Sequence, residues 1–260
     1  MRLLIRLGSI EDRTYEMQYH YRLQGFIYRL LESTKYRHIH NKEGYKFFCF
    51  SNIFPITNML KKDNIYNVVL SSPNNDFIKD IYEVLKSLQK LAIEINIGDM
   101  KFLINSVDII ISKLPNESPF SLVTATPIII RIPIEKYRAR GIKLAREYPY
   151  VYWRIEHPIE FFISQIVSNL IKKYGSYHTL TNGVSNFLPS TVSTLFRKLR
   201  FKKQISTKIL MKETEHIVIG SLWEFSFDGW EDRKLLQFAL DVGLGERNSL
   251  GFGFMNIKRK

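Results

Sequence analysis

The segment Tyr36–Phe54, YRHIHNKEGYKFFCFSNIF, gathers the side chains best suited to moving protons, His38, His40 and Lys46. An unperturbed imidazole titrates near pH ~6.5, so one histidine can take a proton and another give one close to neutrality. An ammonium group beside them can stabilise negative charge that develops on a reacting centre. If Arg37–His40 is locally extended, the two-residue period of a strand places His38 and His40 on one side, where they flank a single group. Solvated loop histidines would give the same pattern with no chemistry. A His-x-His zinc site is the other sharp reading. It is discounted because no cysteine lies close enough in pattern and Glu43 is the one nearby carboxylate, so no metal is expected. His20, His157, His178 and His216 have no partner pattern, and His157 before Pro158 reads as part of a helix start.

A second cluster lies near the end of the chain, in GLGERNSLGFG. Gly243, Gly245, Gly251 and Gly253 stand as G-h-G-x5-G-h-G, with Leu244 and Phe252 inside the two pairs. A helix C-cap at Gly243 followed by a loose turn is the plain reading, and it accounts for one glycine. Glycines also let the backbone take positive φ and approach a ligand, so that N–H groups converge on phosphate oxygens. Arg247, Asn248 and Ser249 add side-chain donors, and Arg247 has the fork to meet a phosphate bidentately. The segment is neither a dinucleotide fingerprint nor a P-loop, since it follows a helix and no Gly-Lys-Ser/Thr comes after it.

The charge balance narrows the ligand class. The 260 residues carry a net charge of +13, from 38 Lys and Arg against 25 Asp and Glu. Such self-repulsion serves a protein whose partner is a polyanion, either nucleic acid or an anionic membrane surface. The membrane option is weak: a spanning helix needs about eighteen apolar residues, and the longest runs, such as Ile128–Ile134, are interrupted by Arg131. The opening MRLLIRLGS is too short and too alternating for a signal peptide. The single Cys49 excludes an internal disulfide framework, and a cytoplasmic protein is expected. Two basic runs stand out. Arg131–Arg146 holds Arg131, Lys136, Arg138, Arg140, Lys143 and Arg146 against Glu135, with Tyr148, Tyr150, Tyr152 and Trp153 following. The second comprises Arg197, Lys198, Arg200, Lys202 and Lys203. A charge run is usually a solvated face. Two of them under this net charge favour phosphate contacts, with the aromatics available to stack on unpaired bases.

The elements that must position these groups follow from periodicity. KLPNESPF, Lys113–Phe120, separates two apolar halves and divides the chain into residues 1–114 and 119–260. In the first half Leu3, Ile5 and Leu7 alternate as in a strand, and Leu23, Phe26, Ile27, Leu30 and Leu31 form a helical stripe. Lys46–Phe50 and Ile65–Leu70 read as strands. Phe77, Ile81, Val84, Leu85 and Leu88 give a second helix, and Ala92–Ile97 and Lys101–Ile111 two strands around a Gly98-Asp99 turn. The second half offers a β-rich run at Leu122–Ile134, a helix from Pro158 to Lys173, and strands near Gln204–Lys212 and Glu215–Phe227. A short helix after Asp228, with Asp228 and Glu231 at capping-box spacing, and a last strand Phe252–Lys258 complete it. The order β-α-β-β-α-β, read twice, predicts an α+β protein of tandem ferredoxin-like, RRM-like domains with a C-terminal glycine-rich loop.

A G-h-G-x5-G-h-G loop just before the final strand of such a basic protein resembles the RAMP superfamily of CRISPR-associated proteins. Within it, the chain resembles, from first strand to last, the Cas6 family of endoribonucleases that cut precursor CRISPR RNA in its repeats. In the matching region of that family a histidine precedes a Gly-Tyr pair and an aromatic strand ending in Phe-Ser, as His40 here precedes Gly44-Tyr45 and Phe50-Ser51. The resemblance implies that His40 and Lys46 are catalytic, that His38 can share the work, and that Tyr28 matches a family tyrosine of the first helix. It implies metal-free attack by the ribose 2′-hydroxyl, leaving a 2′,3′-cyclic phosphate and a 5′-hydroxyl, without cofactor. It further implies RNA held by Gly243, Gly245, Arg247, Asn248, Ser249, Gly251 and Gly253, alongside Arg138, Arg140, Lys143, Arg197, Lys198, Arg200, Lys202 and Lys203. The implied partner is CRISPR repeat RNA, with an effector complex or a homodimer as further candidates. Two alternatives remain at this point: a non-catalytic RAMP subunit that binds CRISPR RNA, and a general RNA-binding protein of the same fold.

Overall fold

The computed structural model describes residues 1–144, 148–182, 195–196, 198–211, 214–229 and 231–258, so Arg146 and Arg197 of the basic runs lie outside the described residues. The chain divides into two compact units. The first comprises Met1–Lys113, Lys208–His216 and Asn248–Gly251; the second comprises Leu114–Thr207, Ile217–Arg247 and Phe252–Lys260. Two pieces of the expected 119–260 half therefore cluster with the first unit.

In the first unit the elements are β1 (Arg2–Ser9), β2 (Arg13–Thr14), α1 (His20–Leu31), β3 (Cys49–Phe50), β4 (Met59–Leu60), β5 (Ile65–Ser71), α2 (Asn75–Lys90), β6 (Ile95–Ile97) and β7 (Met100–Ile110). The main sheet runs β3-β5-β1-β7-β6, all neighbours antiparallel, with Ile5 opposite Val68 and Val107. The sequence β1-α1-β3-β5-α2-β7 with that strand order is the ferredoxin-like arrangement, and β6 adds an edge. Alternation puts Leu3, Ile5 and Leu7 on the buried face, where they share a core with Leu23, Phe26, Ile27 and Leu30 of α1 and Phe77, Ile81 and Leu85 of α2. Each such side chain contributes about 1.5–3 kcal/mol by leaving water. The Asn74 side chain caps α2 by accepting from Phe77 N.

Two expected strands are shorter than the pattern implies. Phe47 sits at φ 51°, which breaks Lys46–Phe50 and leaves Cys49–Phe50 paired to β5. Ala92 sits at φ 50° and its N–H closes on Gln89, so the run toward Ile97 becomes extended only at Ile95.

The second unit contributes β8 (Phe120–Thr124), β9 (Arg131–Pro133), α3 (Ile134–Arg138), β10 (Tyr150–Tyr152), α4 (Ile159–Asn182), β11 (Lys198–Met211), β12 (Thr214–Phe227), α5 (Arg233–Val242) and β13 (Met255–Ile257), the tip of the β11–β12 pair belonging to the first unit. The sheet order β11-β12-β8-β13 repeats the ferredoxin-like arrangement, with β9, α3 and β10 inserted before α4. Trp153, Phe162 and Trp223 form its aromatic centre, with ring centroids 4.5–5.6 Å apart. The Leu122–Ile134 run is divided into β8 and β9, and α4 continues past Lys173 to Asn182. The last helix starts later than Asp228 because Asp232 caps it, Oδ1 accepting from Leu235 N at 3.0 Å. Glu231 instead closes a turn ahead of the helix by accepting from the N–H groups of Asp228 and Gly229. Among the described residues no helix is long and apolar enough to cross a membrane.

Candidate active site

A groove of about 1450 Å³ opens in the first unit, with Tyr28, Arg29, His40, Lys46 and Ser249 in its lining. His40 ends a 3₁₀ turn, Arg37–His40. This corrects the extended backbone expected there: at three residues per turn, side chains two apart point about 120° from each other. His40 lines the groove, and His38, exposed on another side of the turn, is not part of that lining. His40 Nδ1 lies 2.8 Å from the Asn41 side-chain oxygen. With that oxygen as acceptor, Nδ1 carries the proton and Nε2 keeps a lone pair able to act as a base. The His40 ring meets the Tyr28 ring edge-on, centroids 4.9 Å apart.

Lys46 closes the turn that carries His40. Its ammonium donates to the carbonyls of Ile39 (2.8 Å), His40 (3.4 Å) and Lys42. Three donors on three carbonyls at the end of a helical turn fix the His40 backbone and place a positive charge beside it. Partial burial, and then the neighbouring Lys42 charge, push the Lys46 ammonium below its ordinary range. Burial pushes the half-buried Tyr28 phenol up, while a hydrogen bond with Ser249 acts in the opposite direction. At neutral pH the phenol keeps its proton and is a hydrogen-bond donor.

Ser249 is held by α1. Gln24 Nε2 donates to the Ser249 carbonyl and to its hydroxyl oxygen, both at 3.0 Å. One turn earlier, His20 Nδ1 meets the Leu250 carbonyl at 2.9 Å. A carbonyl only accepts, so Nδ1 bears hydrogen, and burial lowers the imidazole to about 4, which keeps it neutral. His20, Gln24 and Tyr28 are four residues apart and share one face of α1.

The glycine-rich loop has a structural account that its spacing concealed. All four glycines are buried and have positive φ, and Arg247 adds φ 58°. A Cβ on Gly251 would stand 2.3 Å from the Phe50 ring, and one on Gly245 would stand 2.6 Å from the Ile129 carbonyl oxygen. The close approach they permit is therefore to the chain itself. The N–H groups of Gly243, Gly251 and Gly253 go to the carbonyls of Ala239, Asn248 and Pro127, which corrects the expectation that they converge on phosphate. The buried Lys173 ammonium also holds the loop, donating to Gly243 O at 2.7 Å and Gly245 O at 3.1 Å.

Comparison with known proteins decides the family. The family model described as "CRISPR associated protein Cas6, C-terminal" matches residues 112–257. The protein named "CRISPR-associated endoribonuclease Cas6 2" of Methanocaldococcus jannaschii is 31% identical over 259 residues, 98% of this chain and 99% of the relative. The chain belongs to the Cas6 family. A second Cas6 relative, the "CRISPR-associated endoribonuclease Cas6" of Haloferax mediterranei, is 31% identical over 266 residues, covering 100% of this chain and 94% of its own length. Two solved structures share the fold. One, described as "An RAMP protein binding different RNA substrates", has a TM-score of 0.71 at 19% identity, covering 100% of both chains. The other, from the "Characterization of a Cas6-related gene from Pyrococcus furiosus", has a TM-score of 0.69 at 22% identity, covering 100% of this chain and 99% of its own.

The basic residues of this Cas6 chain differ in their surroundings. Arg131 is tied to its own chain: its Nε lies 2.5 Å from Glu246, its N–H also bonds that carboxylate, and its guanidinium sits over the Tyr150 ring. Arg140 lies over Phe161 and 3.7 Å from Glu160. Arg138 and Lys143 are exposed, as are Tyr148 and Tyr150, whereas Trp153 is buried in the core and cannot stack on a base. On β11, Lys198, Arg200 and Lys202 alternate on one exposed face while Lys203 points to the other. Arg200, Lys202 and Lys258 all reach the shielded Glu224 carboxylate, at 2.5, 2.8 and 2.6 Å, and hold it well below the usual carboxylate range. Three cations on one carboxylate leave that face with an excess of positive charge.

Sequence reasoning missed His20, Gln24, Lys173 and Glu224. His20 and Gln24 meet partners 230 and 225 residues away, a separation for which no local pattern exists. The repeat of His20, Gln24 and Tyr28 every fourth residue was the one available signal.

Proposed function

We propose that this Cas6 protein is an endoribonuclease that cuts precursor CRISPR RNA within its repeats, without a metal ion. The observation that carries the reading is the convergence of Tyr28, His40 and Lys46 on one groove. His40 Nε2 takes the proton of a ribose 2′-hydroxyl, whose oxygen attacks the adjacent phosphorus as the bond to the 5′ oxygen breaks. The protonated Tyr28 phenol donates toward the departing 5′ oxygen, and the Lys46 charge stabilises the phosphorane. The products are a 2′,3′-cyclic phosphate and a 5′-hydroxyl. His38, outside the groove lining, has no part in this step. Arg247, Asn248 and Ser249, with Arg138, Arg140, Lys143, Lys198, Arg200, Lys202 and Lys203, supply phosphate contacts, so affinity falls as salt rises.

The test is incubation with a repeat RNA in EDTA. Cleavage to a cyclic phosphate, blocked by a 2′-deoxy sugar just upstream of the cut, is the expected result. Tight binding without any cut would point instead to a non-catalytic RNA-binding subunit, and a cut that survives the 2′-deoxy sugar would replace the nucleophile with water.

A further inference from the structure

One carboxylate draws together cations from both edges of the second unit's sheet. The strand order β11-β12-β8-β13 puts Arg200 and Lys202 at one edge, on β11, and Lys258 at the other, just past β13. Glu224 on β12 meets all three. Its Oε2 accepts from Arg200 at 2.5 Å and stands 2.8 Å from the Lys202 ammonium, while Oε1 accepts from Lys258 at 2.6 Å. The Glu224 side chain is 9% exposed, whereas those of Arg200, Lys202 and Lys258 are 64%, 40% and 47% exposed. Guanidinium and ammonium groups each carry several N–H donors, so one bond to Glu224 leaves the others for a second anion. The rest of that sheet face suits a backbone better than bases. Register puts Val123 and Asn256 beside Glu224, and Ser121 beside Ser226, and none of these outward positions is aromatic. An RRM-type sheet reads bases by stacking them on aromatics at such positions. Lys258 also lines a recess of about 620 Å³ with Lys198, Ser121 and Ser226, which leaves room beside the cluster for a strand of nucleotides.

We infer that Glu224 is a positioning residue for RNA, gathering Arg200, Lys202 and Lys258 into one cradle for the phosphates of an unpaired strand. The inference rests on the RNA binding of the proposed function and adds Glu224 and Lys258 to it. Like charges this close repel one another, and without the carboxylate between them these long side chains would spread into water. The carboxylate itself repels phosphate. It therefore weakens a contact that depends on charge alone and strengthens one that depends on arrangement, so the two cases predict opposite signs.

Equilibrium binding of a labelled repeat RNA, with a 2′-deoxy sugar just upstream of the cut, tests it without cleavage. Glu224→Gln keeps the shape of the side chain and makes the protein more positive, yet should weaken binding about fivefold to tenfold. The slope of log affinity against log salt should become shallower by about 0.7, the share of one phosphate on a single strand. Unchanged or tighter binding, as a count of charge demands, would overturn the inference. Lys258→Met, at an exposed position, should weaken binding by a similar factor. No loss in that variant overturns the inference even if Glu224→Gln fails to fold. The double variant should lose little more than either single one, because the two residues act together. Additive losses would make Lys258 an independent contact and overturn the cradle. A scrambled RNA of the same length should show the same losses; losses confined to the repeat sequence would mean that bases are read there, which also overturns it. A wild-type protein that binds the repeat RNA but does not cut its all-ribose form defeats the proposed cleavage, while the binding series still decides the role of Glu224.

Discussion

The glycine-rich loop and the Arg37–His40 turn are both short irregular segments, built on opposite terms. The loop is buried, its glycines fit against Phe50 and Ile129, and Lys173 and Glu246 clamp it with charged hydrogen bonds. The turn is mostly exposed, sets only the half-buried Ile39 against the core, and carries one lysine ammonium on its carbonyls. A buried segment is intolerant of added atoms, whereas an exposed one can lose a side chain with little cost in stability and all of the cost in chemistry. Under the proposed function, the contrast separates residues that shape the molecule from residues that act on a substrate.

Substitutions at glycines of like conformation sharpen that comparison. Gly251→Ala combines φ +83° with a Cβ driven into the Phe50 ring, and should destabilise the protein by about 3 kcal/mol in urea unfolding. A loss under ~1 kcal/mol, less than the strain of positive φ alone, would show that the loop yields and that its glycines are not there for packing.

The next effect concerns the α1 residue that anchors the 248–251 turn. His20 falls from an ordinary 6.5 to about 4 in the folded state, so between those values the unfolded chain binds the extra proton. Its contribution is complete above pH 6.5 and is lost as the pH falls toward 4, which amounts to about 2 kcal/mol between pH 7 and pH 5. His20→Gln should flatten that part of the stability profile; an equal slope in both proteins would mean that other groups carry it.

Gly44, between His40 and Lys46, should give the smallest effect. It has φ +82° and nothing within 4 Å of an added Cβ, so Gly44→Ala should cost only the backbone strain, about 1 kcal/mol. A cost equal to that of Gly251→Ala would erase the distinction between the two segments.

The same contrast explains what the sequence disclosed. Strand alternation at Leu3, Ile5 and Leu7 and the helical stripes of α1 and α2 are local, and they yielded both halves of the tandem fold. Element ends were less legible, because a single φ at Phe47 or a competing cap at Asp232 moves a boundary without changing the pattern. His40 and Lys46 were singled out through the resemblance of their motif, and the lining of one groove includes both of them with Tyr28. The backbone at Arg37–His40 was read as extended because spacing alone does not tell a strand from a 3₁₀ turn. The glycine spacing pointed to a demanding backbone but not to what demanded it, since Phe50, Ile129 and Lys173 are remote in sequence.

The central claim is that chemistry belongs to the face of the turn that lines the groove. Single-turnover cleavage of one repeat RNA by His40→Ala and His38→Ala tests it directly. Loss of a general acid or base costs about 10²–10⁴-fold, and that loss is expected for His40→Ala with RNA binding retained, while His38→Ala stays near the wild-type rate. Equal losses in the two variants, or an active His40→Ala protein, would contradict the assignment.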